Sequence, residues 1–139
     1  MRLLSFTAIL AGSTTLCAVM AVAQTDPGQS IRSVIDSQMT AFRNDDLSTA
    51  FSFASPAIRD LFGSAARFGQ MVESGYPMVW RPGSVDYLGL KDIPGGLRQR
   101  VMIRDGDGRL HVLDYDMIPA GDGWQINGVR VLPASGIGV

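Results

Sequence analysis

Cysteine and histidine are almost absent from this chain, with one of each, Cys17 and His111. Lysine is nearly missing as well, Lys91 standing alone beside arginine among the 12 basic residues. A single cysteine closes no internal disulfide, and Cys17 lies in a segment expected to be removed, so the remaining domain must hold together by packing. Thiolate metal sites and haem attached through cysteine are excluded with it. Any Ser-His-Asp machinery or imidazole base would have to run through His111. An excess of one charge is lacking too, with 12 basic residues against 13 acidic and a net charge of −1. With no surplus of positive charge to hold phosphates, nucleic acid is not an expected partner.

The amino terminus is the richest stretch. Met1-Arg2 supplies a short positive start, and no charged side chain follows from Leu3 to Thr25. Leu3, Leu4, Phe6, Ile9, Leu10, Leu16, Val19 and Met20 make the middle apolar. Ala21-Val22-Ala23 before Gln24 is the small-x-small pattern that signal peptidase reads, which places cleavage between Ala23 and Gln24. An uncleaved run of this length could also cross a bilayer core of roughly 30 Å. Gly12 and Ser13-Thr14-Thr15 dilute it, and the small-residue exit favours cleavage. Bulky Leu16 argues against a lipid anchor on Cys17. The expected location is the periplasm or the medium, with membrane contact only through an uncleaved leader.

Removing residues 1–23 leaves 116 of the 139 residues (139 minus 23), enough for one domain. A flexible start is expected over 24–29, a single α+β domain over 30–133, and a flexible tail over 134–139. Ser30 is placed as the cap of a helix to about Arg43, with Ile31, Val34, Ile35, Gln38, Met39 and Phe42 on one face. Asn44-Asp45-Asp46 breaks it, and an Asp there caps a short helix carrying Leu47, Ala50, Phe51 and Phe53. Ser55-Pro56 restarts a helix that ends at Gly63, and Ser64 opens another that ends at Gly75. Tyr76-Pro77 and Arg81-Pro82 read as extended or turning dipeptides. Strands follow at Val85–Leu90, Leu97–Arg104, Arg109–Ile118 and Trp124–Leu132, the middle pair joined through Asp105-Gly106-Asp107-Gly108. Helices first and an antiparallel meander after them predict helices packed on one face of a curved sheet of about four strands.

This order of elements, ending in Gly123-Trp124-Gln125-Ile126-Asn127-Gly128-Val129, resembles the cone-shaped nuclear transport factor 2-like (cystatin-like) fold. More narrowly, Phe53-Ala54-Ser55-Pro56, Gly75-Tyr76-Pro77 with Arg81-Pro82, and Trp124 to Val129 look like a family of exported bacterial proteins. That family is known only as a domain of unknown function, number 4864. The resemblance covers about Ile31 to Val131 and implies fold and compartment, without any activity or catalytic residue.

A two-residue turn at Gly106-Asp107 would pair Ile103 with Leu110, Met102 with His111 and Arg98 with Tyr115. His111 then shares a face with Met102, Leu113, Arg100 and Tyr115 and is read as a half-exposed strand histidine. The opposite face carries Val101, Ile103, Leu110 and Val112, turning polar at Gln99, Asp114 and Asp116. Carboxylates on such a face are costly to bury unless hydrogen-bonded or functional. The resemblance implies a concave sheet face lining a pocket, so Gln99, Asp114, Tyr87 and Tyr76 are the candidate ligand contacts. Asp114 with Tyr87 or Tyr76 is the weak candidate for an acid/base set. The bland alternative pairs Asp114 and Asp116 with Arg98 and Arg100 across a strand, and a one-residue slip in register would reverse every face. Trp124 is placed in the core. Trp80 and Arg81 form a partner surface, or else Trp80 folds over the cone's mouth.

Asp105-Gly106-Asp107-Gly108 lacks the third acidic position and the downstream glutamate of a calcium loop, so no metal site is assigned, nor any cofactor. The sequence therefore reads as an exported module binding a small ligand or an exported protein, with self-pairing through the sheet also open. The rival reading is a small-molecule lyase, isomerase or hydrolase built on Asp114. Intact-mass analysis of the exported protein should give a chain beginning at Gln24; a full-length mass in the membrane fraction would contradict cleavage.

Overall fold

Side-chain and proline caps set where the helices start. The computed structural model describes residues 26–133, so the leader, the Ala23–Gln24 junction and the 134–139 tail lie outside the described residues. Helix α1 spans Pro27–Arg43, with Asp26 at its N-cap and proline in the first turn. The helix therefore begins three residues before the expected Ser30 cap, inside the segment read as a flexible start. Proline has no N–H to leave unpaired and its φ is already helical, so it opens the helix and Ser30 N–H bonds back to Asp26 O at 3.1 Å. Ile31, Ile35, Gln38, Met39 and Phe42 are buried along one side, as their spacing predicts.

Helix α2, Leu47–Ser52, is capped by Asp46, whose carboxylate accepts from Thr49 N–H at 3.2 Å and Thr49 Oγ1 at 2.7 Å. Helix α3, Pro56–Phe62, starts from Ser55 and stops at Gly63, whose φ of 76° is left-handed. Helix α4, Ala65–Gly75, is capped by Ser64. Between the two proline dipeptides lies a single turn, α5 at Pro77–Trp80, that extended dipeptides alone did not predict. Pro77 takes the first helical position, and Tyr76 and Arg81 hold non-helical angles on either side, so the dipeptides bracket a turn. Among the described residues no helix is long and apolar enough to cross a membrane.

Four strands follow as an antiparallel meander in the order β1-β2-β3-β4, spanning Ser84–Ile93, Gly96–Arg104, Leu110–Ala120 and Gly123–Val131. Gly96 is required at the first turn: a Cβ there would stand 1.9 Å from the Met117 carbonyl oxygen. The β2–β3 loop is longer than expected. Asp105 accepts from the N–H groups of Asp107 and Arg109 and so rounds the turn with its own side chain. Arg104 therefore pairs with Leu110, Ile103 with His111 and Met102 with Val112. The register stands one residue from the two-residue-turn reading, and the faces change with it.

One face now carries Leu97, Gln99, Val101 and Ile103 opposite Met117, Tyr115, Leu113 and His111. This face meets the helices and supplies Val101, Ile103, Leu113, Tyr115 and Met117 to the core. The other carries Arg98, Arg100, Met102 and Arg104 opposite Asp116, Asp114, Val112 and Leu110.

Phe42 is fully buried, its ring 5.9 Å from Phe68 and 5.4 Å from Trp80 between centroids. Trp124, expected inside, is only half-buried at the margin of that core, because it pairs with Pro119 near the sheet's end. Phe42→Ala should cost about 3–5 kcal/mol, and Trp124→Ala clearly less, as urea unfolding of the two variants would measure. A larger loss at Trp124 would contradict this placement of the core.

Candidate functional site

The helices do not fill the sheet's inner face completely. A cavity of about 280 Å³ remains between Phe42 of α1, Ile58, Leu61 and Phe62 of α3, Phe68, Met71 and Val72 of α4, and Tyr115, Ile126 and Val129 of the sheet. Gln38, Ala54, Tyr76, Val79, Asn127 and Gly128 complete the wall. Among the described residues no carboxylate, amine, guanidinium or imidazole lines it. Helix α3 forms its outer side and buries no residue fully, while Leu61 at the rim is 76 % exposed.

The chain builds this wall by docking the α2–α3 connection onto the last strand. Ala54 bridges Ile126 in parallel. Ile126 N–H donates to Phe53 O, and Ser55 N–H to Ile126 O, both at 2.8 Å. Ser55 Oγ then donates to Asn127 Oδ1 at 2.8 Å while accepting from Ile58 N–H, so one buried hydroxyl joins β4 to the start of α3. Asn127 is the extra residue of a bulge, since Asp116 faces Gly128 and Met117 faces Ile126.

Four polar side chains face this apolar space, and three are committed to the protein. Gln38 Nε2 donates to Ala50 O at 3.1 Å, and Asn127 receives Ser55. Tyr76 OH donates to Val129 O at 3.2 Å. The fourth, Tyr115, pairs with Val129 across β3 and β4, is fully buried, and finds no partner for its hydroxyl among the described residues. Burial, and then the neighbouring Tyr76, push its ionisation well above the usual tyrosine range, so it stays a protonated donor.

The residues expected in the site are mostly elsewhere. Asp114 lies on the outer sheet face and its side chain is 3 % exposed. Arg100 straddles it, Nε to Oδ1 at 2.9 Å and Nη2 to Oδ2 at 3.2 Å, with Arg130 3.7 Å away. That pairing, ahead of the opposing effect of burial, holds the carboxyl below its usual range. Asp114 is thus a paired charge that lies outside this cavity. Arg98 grips Asp116 in the same way at 2.6 and 3.1 Å.

Gln99 points to the other side of the sheet, so the expected Gln99–Asp114 contact does not exist. It is 1 % exposed and its Nε2 donates to Leu88 O and Gly89 O, the two β1 residues that bulge opposite Arg100. Its role is to satisfy the bulge. Tyr87 OH is tied to α1 through Asp36 Oδ1 and Arg32 O, and burial followed by that carboxylate raises its ionisation strongly. Of the four expected contacts, only Tyr76 lines the cavity.

Trp80 and Arg81 both make contacts within the chain, and Arg81 stays exposed. Trp80 packs on Phe42, and the Arg81 guanidinium lies 4.7 Å over its ring. Arg81 Nη1 donates to Phe42 O at 2.7 Å and Nη2 to Asp45 Oδ1 at 2.9 Å, which satisfies the carboxyl end of α1. His111 closes the hairpin loop through Asp105 Oδ2 at 2.8 Å. Among the described residues no three His, Cys, Asp or Glu side chains gather as metal ligands do.

Tyr115 was missed because the assumed turn placed it on the wrong face. A signal was present in β3 itself, where Leu113, Tyr115 and Met117 alternate with Asp114 and Asp116. Matching that apolar row to Val101 and Ile103 demands the longer loop.

A family model described as Domain of unknown function (DUF4864) matches residues 24–139. A solved chain named Rd1NTF2_05, with five substitutions, is similar at 15 % identity and a TM-score of 0.51, covering 77 % of this chain and 100 % of its own. An NTF-2 like protein of unknown function from Shewanella oneidensis MR-1 is similar at 12 % identity and a TM-score of 0.49, covering 76 % and 98 %. At these identities the likeness concerns the fold alone, which is NTF2-like. No curated protein matches the chain.

Because the folded carboxyl of Asp114 is depressed, its pairing stabilises the protein above the unfolded carboxylate pKa and is lost as pH falls through the folded value. Asp114→Asn should therefore lower stability at pH 7 by about 1–3 kcal/mol. The gap to the parent should narrow as pH falls below the unfolded carboxyl value of about 3.9 and through the lower folded one. Urea melts across that range test it, and a gap independent of pH would contradict the ion pair's role.

Proposed function

The chain belongs to that family, whose description assigns no activity, and from its own geometry we propose that it is a small exported domain that binds an apolar ligand. Export rests on the leader pattern of residues 1–23 and its Ala21-Val22-Ala23 exit. Binding rests on one observation, the cavity of about 280 Å³ walled by aromatic and aliphatic side chains with a few placed polar groups. Ligand sites combine these same features.

Two other features support the reading. The walls hold no carboxylate, imidazole or amine to move a proton, which favours binding over acid/base chemistry. Entry is available at α3, whose seven residues are held mainly at the Ser55 end and bury no side chain fully. A larger concavity along α1 at Gln29, Arg32, Ser33, Asp36, Ser37 and Thr40 is walled by that helix alone and is polar, so it suits an apolar ligand poorly.

Thermal unfolding with a panel of neutral apolar compounds tests the proposal. A ligand at about 100 times its Kd adds about 2.7 kcal/mol to the folded state, or roughly 10 °C or more in Tm for a domain near 100 residues. Ile58→Trp, which replaces a branched aliphatic side chain of the cavity wall by a bulky indole, should fold normally by circular dichroism and lose that shift. No stabilisation of the parent by any compound, or an equal shift in the Ile58→Trp protein, would overturn it.

A further inference from the structure

Resting on that ligand-binding reading, we propose that the ligand is a neutral compound of about two fused rings carrying one carbonyl-type acceptor, which receives a hydrogen bond from the Tyr115 hydroxyl. The ring of Tyr115 is fully buried against the core and lines the cavity, while its hydroxyl has no partner among the described residues. A buried hydroxyl left unpaired is unfavourable, and phenylalanine would pack the same space without that cost. The oxygen is therefore not explained by packing.

Tyr115 OH is the buried polar atom of the cavity wall that has no partner among the described residues, and on the same sheet face Gln99 Oε1, cross-strand from it and outside the wall, is unpaired as well. Tyr76 OH is given to Val129 O, Gln38 Nε2 to Ala50 O, and Asn127 Oδ1 is taken by Ser55. Tyr115 and Tyr76 come together at the β4 end of the cavity because Val129 is the cross-strand partner of one and the acceptor of the other. A ligand oxygen there accepts from Tyr115, while the rest of the ligand meets Phe42, Phe68 and Val72.

The absence of a cation from the wall fixes the ligand's charge. A carboxylate or phosphate would leave water for an apolar space with no lysine, arginine or histidine to meet it. The tyrosine itself stays protonated, so the ligand group that meets it is an acceptor. Volume fixes the size: an apolar cavity of about 150 Å³ takes up benzene, and this one, at about 280 Å³, has room for a second ring.

Calorimetry with 1-tetralone and tetralin, a matched ketone and hydrocarbon, on the parent and Tyr115→Phe proteins separates the possibilities. Tetralin should bind both proteins within about twofold of each other, which also shows that the cavity survives the substitution. Tetralone should lose about tenfold in Tyr115→Phe, so the ketone-to-hydrocarbon affinity ratio changes by that factor. The Tm of the empty protein should not fall in Tyr115→Phe, because no partner is lost. An unchanged ratio, or a lowered Tm that reveals a partner of the hydroxyl within the empty protein, overturns the assignment to Tyr115 and leaves the cavity reading standing. Failure of both compounds to bind the parent overturns that reading together with it.

Discussion

The junction of Ala54 with Ile126 holds the two halves of this molecule in their working relation. Helices and sheet are separate stretches of sequence, and a helical layer could lie on a sheet at many angles. Two backbone hydrogen bonds, from Ile126 to Phe53 and from Ser55 to Ile126, fix one of them. The buried Ser55 hydroxyl adds a third tie at Asn127 and then caps α3. Everything that encloses the cavity hangs from this point: α3 leaves from Ser55, α4 follows it through Gly63, and the Asn127 bulge turns Gly128 and Val129 toward Tyr76. The runs at 53–56, 75–77 and 124–129, far apart in sequence, meet around one space for this reason.

A second constraint is the separation of charge from that space. The outer sheet face carries Arg98, Arg100 and Arg130 interleaved with Asp114 and Asp116, each carboxylate gripped by a guanidinium. Bidentate pairing lets Asp114 be nearly inaccessible and still ionised, which an isolated buried carboxylate would not be. The inner face carries neutral side chains, and its polar atoms are mostly bonded to backbone. A strand that alternates Asp with Leu, Tyr and Met is what keeps these two environments one residue apart.

Much of the helical layer was legible because its determinants are local. Asp46, Ser55 and Ser64 announce their helices by oxygens that reach a backbone N–H three residues on, and Gly63 ends one by its left-handed angle. The short α5 was less legible, since its two proline dipeptides look extended in isolation and only Pro77 at the first helical position shows the turn. The site is less legible. A two-residue turn would pair Gln99 with Asp114, whereas the Asp105 side chain rounds a longer loop and carries the two residues to opposite faces.

Sequence alone determined the fold class, the strand order, the charge-free run near the amino terminus and the exclusion of an internal disulfide. Each follows from composition, from periodicity or from a cap whose partners lie within a few residues. Tertiary structure decided which face of the sheet is the inner one, that Asp114 is a buried, paired charge on the outer face, that Trp80 and Arg81 close the end of α1, and that Tyr115 stands unpartnered at a cavity. These depend on register and on long-range docking. A strand's side chains repeat every two residues, so a single residue of loop length, invisible to local preference, settles what a face contains.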